Sequence, residues 1–247
     1  MPGWLRCFDA RPFASMRLIC FPHAGGSAVF FRSWAKAVPP GLELHAVQYP
    51  GRADRLNEPL IDDARLLAMA VTDALAPLPP RPVALFGHSM GATIAYETAR
   101  LLTARGAPPA HLFVSAAHAL PAGARLRERT YHDKDDDTFV AALSRLGGTD
   151  VRLLTDPQIR EIVLPYVRND FRLAETYRHE RGPLLDCPVT AFAGDADPAV
   201  ESADMTAWAG TTSGDFTLQV LPGDHFYLLP QTAAVLEEIR RRLGPIT

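Results

Sequence analysis

Residues 85–93 read LFGHSMGAT, and the pentapeptide GHSMG within them places Ser89 between two glycines directly after an apolar run. Glycine permits close backbone approach and unusual φ angles, so the flanking glycines predict a tight turn at Ser89. The preceding VALFG at 83–87 has the composition of a strand, and the following MGATIAYETARLLTARG has the pattern of a helix. A strand, a sharp turn with a serine and a helix are typical of a nucleophile elbow, in which the serine hydroxyl stands above the edge of a sheet.

Short apolar segments recur along the chain, with amphipathic stretches between them. The strand candidates are 16–21, 44–49, 83–87, 112–117, 189–194 and 216–223, and the helix candidates are about 61–76, 89–105 and 230–243. Several strand candidates are apolar at consecutive positions, which is typical of strands covered on both faces. This alternation predicts a single α/β domain over residues 1–247, with a mostly parallel central sheet and helices on both faces.

One interval is longer than a crossover connection requires. Roughly 70 residues separate the candidate strands at 112–117 and 189–194, and they contain helical patterns of their own. The segment DDDTFVAALSRLGG has acids at its start and glycines at its end, and Pro165 is expected to kink the next helical pattern. We interpret residues 122–182, approximately, as an inserted helical lid. A helical subdomain that does not touch the site is the alternative.

A serine hydroxyl needs a base to become a nucleophile, and the base needs a carboxylate to orient it. In the α/β arrangement the expected chain order is serine, acid, histidine. His225, in LPGDHFYLL, follows the last strand candidate, and Asp197, in AFAGDADPAV, follows the one before it. Asp195 is the alternative acid, but it directly follows the strand glycine and is better placed to cap the turn around Pro198. The predicted catalytic residues are therefore Ser89, Asp197 and His225.

The oxyanion formed by attack on a carbonyl must be met by two N–H donors that are already in position. The backbone N–H of Met90, directly after the serine, is the expected first donor. The loop FPHAGGSA at 21–28 is expected to supply the second from Ala24, because Gly25 and Gly26 allow the backbone to approach closely. His88 and His118 are interpreted as packing or pocket-lining residues, and His132 and His179 as lid residues. A metal-binding role for His23 has little support, because it has neither paired cysteines nor a second histidine nearby in sequence.

Composition excludes several other classes of function. The 25 basic and 28 acidic residues nearly balance, so no overall field favours nucleic acid or an anionic membrane. The three cysteines are far apart and not in CxxC form, which argues against a disulfide framework or zinc cluster and favours a reducing cytoplasm. No signal peptide, membrane span or HExxH motif is evident. The acidic DKDDD at 133–137 lacks the glycine and final acid of a calcium loop, and neither metal nor organic cofactor is expected.

Taken together, these segments closely resemble the stand-alone type II thioesterases that serve polyketide and nonribosomal peptide synthetases. The resemblance spans about residues 16–230, in the order FPHAGGSA, VQYPGRADRLNEPL, LFGHSMGATIAYETA, LSRLGGT, LPYVRNDF, CPVTAFAGDADP and GDHFYLL. It implies an α/β-hydrolase fold, the same Ser89, Asp197 and His225 triad, and hydrolysis of acyl groups from the phosphopantetheine arm of an acyl or peptidyl carrier protein. Two features depart from the family pattern: Asp224 replaces a glycine, and the lid segment HDKDDDTF is unusually acidic.

Several alternatives remain open at this point. A chain-releasing or medium-chain acyl carrier thioesterase, or a general esterase, would share the triad, and a catalytically silent carrier-binding protein would share the fold. The lid residues Phe139, Leu143, Val167 and Phe171 either contact the acyl chain or only pack the lid. The arginines of GRADR and ARLRER, namely Arg52, Arg55, Arg125, Arg127 and Arg129, are candidates for docking an acidic carrier protein. Nothing in the sequence demands more than a monomer.

Overall fold

A computed structural model of the chain describes residues 3–118, 130–146, 154, 156–180 and 182–245. These residues form one seven-stranded sheet with the order β1-β3-β2-β4-β5-β6-β7, in which β1 is antiparallel to β3 and every other neighbouring pair is parallel. The predicted α/β class is therefore confirmed. The strands are β1 (Leu5–Arg6), β2 (Met16–Phe21), β3 (Leu42–Val47), β4 (Val83–His88), β5 (His111–Ser115), β6 (Val189–Gly194) and β7 (Phe216–Leu221).

Helices cover both faces of this sheet. They are α1 (Arg32–Ala37), α2 (Ala64–Leu75), α3 (Met90–Ala104), α4 (Asp136–Leu146), α5 (Pro157–Thr176) and α6 (Thr232–Leu243), with 3-10 segments at Ala28–Phe31, Ala53–Arg55 and Ser202–Thr211. α2 begins after Asp63, whose carboxylate accepts hydrogen bonds from the Arg65 and Leu66 N–H groups. The three helices predicted outside the insertion are present as α2, α3 and α6.

Two apolar cores lie on opposite faces of the sheet. Adjacent residues of β4 show the division, because Leu85 belongs to the core beneath α2 and α3, and Phe86 to the core beneath α1 and α6. Both side chains are completely buried. Successive strand side chains point to opposite faces, so a strand covered on both sides must be apolar at every position.

The predicted strand bounds differ from the structure by one or two residues in β3, β4, β5 and β7, and one strand was not predicted. β3 spans Leu42–Val47 rather than 44–49, because Tyr49 is buried beyond the end of the strand and prolongs the apolar pattern. β1 contains only two residues, too few to produce a periodic signal, and it adds an antiparallel edge next to β3.

The long interval between β5 and β6 contains α4 and α5. Apolar residues of the insertion form a separate cluster that includes Phe139, Leu143, Leu164 and Val167. α5 begins after Asp156, whose carboxylate accepts from the Gln158 N–H at 2.8 Å, and the helix continues through Pro165. The predicted start of the insertion near residue 122 and the glycines that follow α4 lie outside the described residues.

The parallel strands bring four loops to one edge of the sheet. Residue pairing places Phe21 beside Gly87, and Gly194 beside Leu221, at the carboxyl ends of β2, β4, β6 and β7. The segments that follow these strands carry Ala24, Ser89, Asp197 and His225. In open α/β sheets this edge is the usual place for a ligand site.

No helix in the described part of the chain combines the length and the apolar character that a bilayer span requires.

His111 at the start of β5 is a buried histidine away from this edge. It is 4% exposed, its ring stacks on Phe113 with centroids 4.2 Å apart, and its Nε2 lies 2.9 Å from Thr190 Oγ1. Burial disfavours the imidazolium ion and lowers the pKa of His111 to about 4.

The lowered pKa of His111 predicts that this residue contributes to acid denaturation. Between about pH 6.5 and pH 4 the unfolded chain binds a proton at residue 111 that the folded chain does not bind, so stability is lost as the pH falls. The His111→Gln variant should show a shallower decrease in the free energy of unfolding, by at most about 1.4 kcal/mol per pH unit. Urea titrations at several pH values measure this slope, and identical slopes for the two proteins would contradict the prediction.

Candidate active site

Ser89 occupies a sharp turn between β4 and α3. It is the one residue between His88, which ends the strand, and Met90, which begins the helix, and its backbone has φ 55° and ψ −122°. A positive φ is costly for a residue with a Cβ and persists only where the surroundings hold it. Here the Ser89 N–H donates to the Ser115 carbonyl at the end of β5, at 2.8 Å.

Gly87 and Gly91 allow the strand and the helix to meet. A Cβ at Gly87 would lie 2.3 Å from the Gly91 carbonyl oxygen, and a Cβ at Gly91 would lie 2.1 Å from the Phe21 carbonyl oxygen. Both contacts are with backbone, which cannot move aside as a side chain can. The second also shows that the loop after β2 lies directly against the first turn of α3.

The three residues predicted to be catalytic are hydrogen bonded in a row. Ser89 Oγ lies 3.0 Å from His225 Nε2, and His225 Nδ1 lies 2.8 Å from Asp197 Oδ2. The side chains of His225 and Asp197 are 7% and 1% exposed. The row is therefore largely shielded from water, and its geometry suits transfer of the serine proton to the imidazole.

Asp195 and Asp197 have different partners. Asp195 accepts from the Gly223 N–H at 2.9 Å and thereby connects the ends of β6 and β7. The turn after Pro198 is held by Asp197 instead, whose Oδ1 accepts from the N–H groups of Ala199 and Val200. The sequence argument that Asp195 caps this turn was thus wrong, and Asp197 both caps it and faces His225.

Asp224, which replaces the family's usual glycine, also has a structural partner. Its carboxylate accepts from the Phe226 N–H at 2.8 Å and caps the short turn that carries His225.

The predicted oxyanion donors belong to two adjoining loops. Met90 is the first residue of α3, where a backbone N–H has no acceptor within the helix. In the loop after β2, the Gly26 N–H donates to the His23 carbonyl and the Gly25 N–H donates to Asp170. Neither bond uses the Ala24 N–H. Because Phe21 touches Gly91, the two loops lie side by side at the N-terminus of α3.

Two further histidines lie beneath this row. The ring centroid of His88 is 5.2 Å from that of His225 and 5.9 Å from that of His23. Burial lowers the pKa of His23 to about 3 and that of His88 well below its ordinary value, so both rings are neutral near pH 7. Both rings serve as buried aromatic packing, as the sequence indicated for His88.

His88 is also connected to a buried polar pair that the sequence did not reveal. Its Nδ1 lies 3.0 Å from Ser115 Oγ, which in turn lies 2.6 Å from the Tyr227 hydroxyl. These residues come from β4, β5 and the segment after β7, so the pair connects three elements beneath the site. Burial raises the pKa of Tyr227, and its hydroxyl stays protonated.

The four lid residues proposed to meet the acyl chain all belong to the apolar cluster of the insertion. Phe139 and Leu143 are buried, and Phe139 packs against Phe171 with ring centroids 5.2 Å apart. This packing favours the structural alternative for these three. Val167 also lies against the loop after β2, since a Cβ at Gly25 would lie 3.2 Å from Val167 Cγ2.

The acidic start of α4 is used within the insertion. Asp135 accepts from the backbone and side chain of Thr138, which caps the helix. Asp136 pairs with Arg168 at 2.6 Å, and Asp137 pairs with Arg160 at 2.8 Å. The segment is a capped helix end, as predicted, with part of its charge paired to α5.

Two of the arginines assigned to carrier docking are not on the surface. Arg52 is 3% exposed and paired with Asp170, and Arg55 is 6% exposed with its guanidinium over the Trp4 ring. Arg55 also donates to the Gln48 carbonyl at 2.7 Å. The docking assignment is therefore wrong for Arg52 and Arg55, since a buried guanidinium cannot meet a partner. Arg125, Arg127 and Arg129 lie outside the described residues.

One group of side chains in the described residues has atoms suited to a metal ion. Donor atoms of Cys7, Glu43 and His45 lie within 4.8 Å of one another. The Glu43 carboxylate already accepts from the Arg11 N–H and lies within 3.5 Å of Arg17 and Arg81. Two guanidinium groups beside the same carboxylate oppose a cation, so this group is interpreted as a buried ion-pair network.

Comparison with known proteins identifies the family. The Thioesterase domain family matches residues 16–243. The chain belongs to the thioesterase family. Thioesterase PikA5 of Streptomyces venezuelae is 42% identical over 97% of this chain and 85% of its own length. The medium-chain S-acyl fatty acid synthase thioesterase of Rattus norvegicus is 34% identical over 91% of this chain and 86% of its own length.

A solved structure agrees with this assignment. The type II thioesterase BorB from the borrelidin biosynthetic cluster superposes with a TM-score of 0.88 and 41% identity, covering 98% of both chains. The expectation of an α/β-hydrolase fold of the thioesterase type is confirmed, as is the resemblance to type II thioesterases.

The Gly91 contact gives a test of the turn. In Gly91→Ala the new methyl group would meet the Phe21 carbonyl, and we expect a loss of about 3 kcal/mol in stability together with displacement of Ser89. Thermal unfolding and the rate of labelling by a fluorophosphonate measure the two effects. Gly210→Ala is the matched control, because a Cβ at Gly210 meets nothing within 4 Å. Unchanged stability and labelling in Gly91→Ala would contradict the interpretation of this turn.

Proposed function

We propose that the protein is a type II thioesterase that hydrolyses acyl thioesters from the phosphopantetheine arm of carrier proteins, and so clears blocked carriers in polyketide or nonribosomal peptide synthesis. The observation that carries the proposal is the row of Ser89, His225 and Asp197 with separations of 3.0 and 2.8 Å, in a chain of the thioesterase family. These three residues are the proposed catalytic triad.

The proposed reaction begins with attack of Ser89 Oγ on the thioester carbonyl, while His225 Nε2 accepts the serine proton. Asp197 keeps the imidazole oriented and stabilises its charged form. The Met90 and Ala24 N–H groups hold the oxyanion of the tetrahedral intermediate. The carbon–sulfur bond then breaks, the thiolate takes the proton from His225, and an acyl-serine remains.

Water completes the reaction in a second half. His225 removes a proton from the water, the resulting hydroxide attacks the acyl-serine, and the same N–H groups hold the second oxyanion. Collapse of this intermediate returns the proton to Ser89 Oγ and releases the carboxylic acid. The chain's own groups supply each of these proton transfers, and the proposal calls for neither metal nor organic cofactor.

The proposed partner is an acyl or peptidyl carrier protein, with the β5–β6 insertion acting as a lid over the arm. The proposal draws on relatives such as PikA5 and on BorB, which is described as a type II thioesterase of a biosynthetic cluster. All proposed catalytic groups come from one chain, so we expect the monomer to be active.

The medium-chain fatty acid synthase thioesterase is the second candidate function. It is favoured by the 34% identity to the rat enzyme, which is close to the values for several biosynthetic relatives. Hydrolysis rates on carrier proteins loaded with acyl chains of two to twelve carbons would separate the two functions. A type II enzyme should prefer short acyl groups on its synthetase's carrier, whereas the alternative requires a marked preference for about eight to twelve carbons.

A catalytically silent carrier-binding protein is the non-enzyme alternative, and Ser89→Ala tests it. The wild type should become covalently labelled by a fluorophosphonate and hydrolyse acetyl-carrier protein, while Ser89→Ala should do neither, because the nucleophile is missing. The expected loss of rate is on the order of 10⁶-fold. Hydrolysis by the variant at the wild-type rate would refute the assignment of Ser89.

Asp197→Asn provides an independent test with a matched control. The amide cannot hold His225 in the tautomer that accepts the serine proton, so kcat should fall by about 10⁴-fold. Asp195→Asn removes a neighbouring carboxylate that bonds Gly223 rather than His225, and we expect it to retain most of its activity. Steady-state kinetics on acetyl-carrier protein decide this, and equal losses in the two variants would contradict the proposed role of Asp197.

A further inference from the structure

A buried ion pair connects the inserted helix α5 to the loop after β3. Asp170 on α5 is 1% exposed and Arg52 is 3% exposed. The guanidinium forms a two-pronged pair with the carboxylate: Nη2 lies 2.7 Å from Oδ1, and Nη1 contacts Oδ2. The Tyr166 and Tyr49 rings lie 4.8 and 5.4 Å from the guanidinium carbon. The residues are 118 positions apart in sequence, so the pair forms only in the folded chain.

The same carboxylate also holds the loop after β2. Asp170 Oδ2 accepts the Gly25 N–H at 2.8 Å, and Arg52 Nη1 donates to the Gly26 carbonyl at 3.3 Å. Gly25 has φ +79°, a conformation that favours glycine, and Val167 of α5 packs against it. The two residues of the pair thus hold two peptide units of one loop, the unit between residues 24 and 25 and the unit between residues 26 and 27.

The first of these peptide units joins Ala24 to Gly25. The orientation of the Ala24 N–H depends on the path of the chain through residues 23–26, because peptide planes are rigid and only φ and ψ can adjust. An oxyanion donor acts only if it already points at the position where negative charge develops. A displacement of about 1 Å in such a group reduces the rate by about 10²-fold.

We propose that Arg52 and Asp170 are positioning residues for the oxyanion hole, and that the Asp170 carboxylate sets the Ala24 N–H through its hydrogen bond to Gly25. The inference rests on the proposed function for the role of Ala24, and it adds the groups that orient it. Neither side chain touches the substrate. Their effect should therefore fall on the transition state, with kcat reduced and KM little changed.

A purely structural role predicts a different result. Buried ion pairs contribute little net stability compared with apolar residues of similar volume, whereas removal of one partner alone leaves an uncompensated buried charge and strongly destabilises the fold. Single substitutions would therefore confuse instability with loss of positioning. The informative variants remove both charges together and differ only in whether residue 170 can still accept the Gly25 N–H.

The experiment compares Arg52→Met/Asp170→Asn with Arg52→Met/Asp170→Leu. Asn and Leu have the same number and branching of side-chain heavy atoms, but only Asn retains a carbonyl oxygen for the Gly25 N–H. We expect kcat for p-nitrophenyl acetate to be ten- to a hundredfold lower in the Leu variant than in the Asn variant, at similar KM. If the Leu variant does not fold, Arg52→Met/Asp170→Ala takes its place. Equal kcat values in the two folded variants would overturn the proposal.

A second readout separates positioning from stability. 2-Phenylethylboronic acid adds to a catalytic serine as a tetrahedral anion, so its inhibition constant should rise in the Leu variant by the same factor by which kcat/KM falls. Glu43→Gln is the control for loss of a buried ion pair elsewhere, and it should lower the melting temperature while leaving kcat unchanged. An inhibition constant that is the same in both double variants would also overturn the proposal.

These assays distinguish the inference from the proposed function. They use a simple ester and a serine-directed inhibitor, and neither requires a carrier protein. Failure of the wild type to hydrolyse acyl-carrier thioesters would remove the proposed function while leaving the ester comparison intact. Equal kcat values in the two double variants, with an active wild type, would remove only the proposed positioning role of Arg52 and Asp170.

Discussion

The close approach of backbone to backbone at the N-terminus of α3 is the constraint on which the site depends. Gly91 lies so near the Phe21 carbonyl that even a methyl group would not fit, and Gly87 lies equally near Gly91. This contact presses the end of β2, the end of β4 and the start of α3 together. Ser89 must then turn within a single residue, which explains why it accepts a positive φ. The position of its hydroxyl follows from backbone packing.

The parallel sheet places the other residues of the candidate site near Ser89. Strands that run in one direction end at one edge, so residues far apart in the sequence meet there without any special contact between their elements. Ser89 and His225 are 136 positions apart and lie within hydrogen-bond distance. The neighbouring His23 and His88 are buried in neutral form and so add no positive charge beside His225. A second imidazolium there would oppose protonation of the base during the reaction.

The sequence predicted the features that depend on local pattern. The strands and helices around Ser89 follow from apolar periodicity and from two glycines, and the order of serine, acid and histidine follows from the fold. Asp197 is hydrogen bonded to His225, but the reason for preferring it over Asp195 was wrong, because local capping rules do not distinguish two aspartates separated by one residue. β1 was not predicted because a strand of two residues is too short to show an alternation of apolar and polar side chains.

Features that depend on distant contacts could not be read in this way. Arg52 lies in a polar, arginine-containing segment and was assigned to the surface, because nothing near it in sequence indicates a buried counterion. Its partner Asp170 lies in an amphipathic helix where an acidic residue ordinarily faces water. Likewise, the pair formed by Ser115 and Tyr227 joins residues 112 positions apart. Only the folded chain reveals such partners.

The reach of α5 into the interior has a consequence for how this fold can be altered. Insertions between strands are often regarded as exchangeable parts, free to vary while the sheet stays the same. Here the insertion brings a buried carboxylate to a guanidinium anchored in the main body. A chimera that places another protein's insertion on this sheet must therefore replace both partners of the pair. Otherwise the Arg52 guanidinium is buried without a counterion.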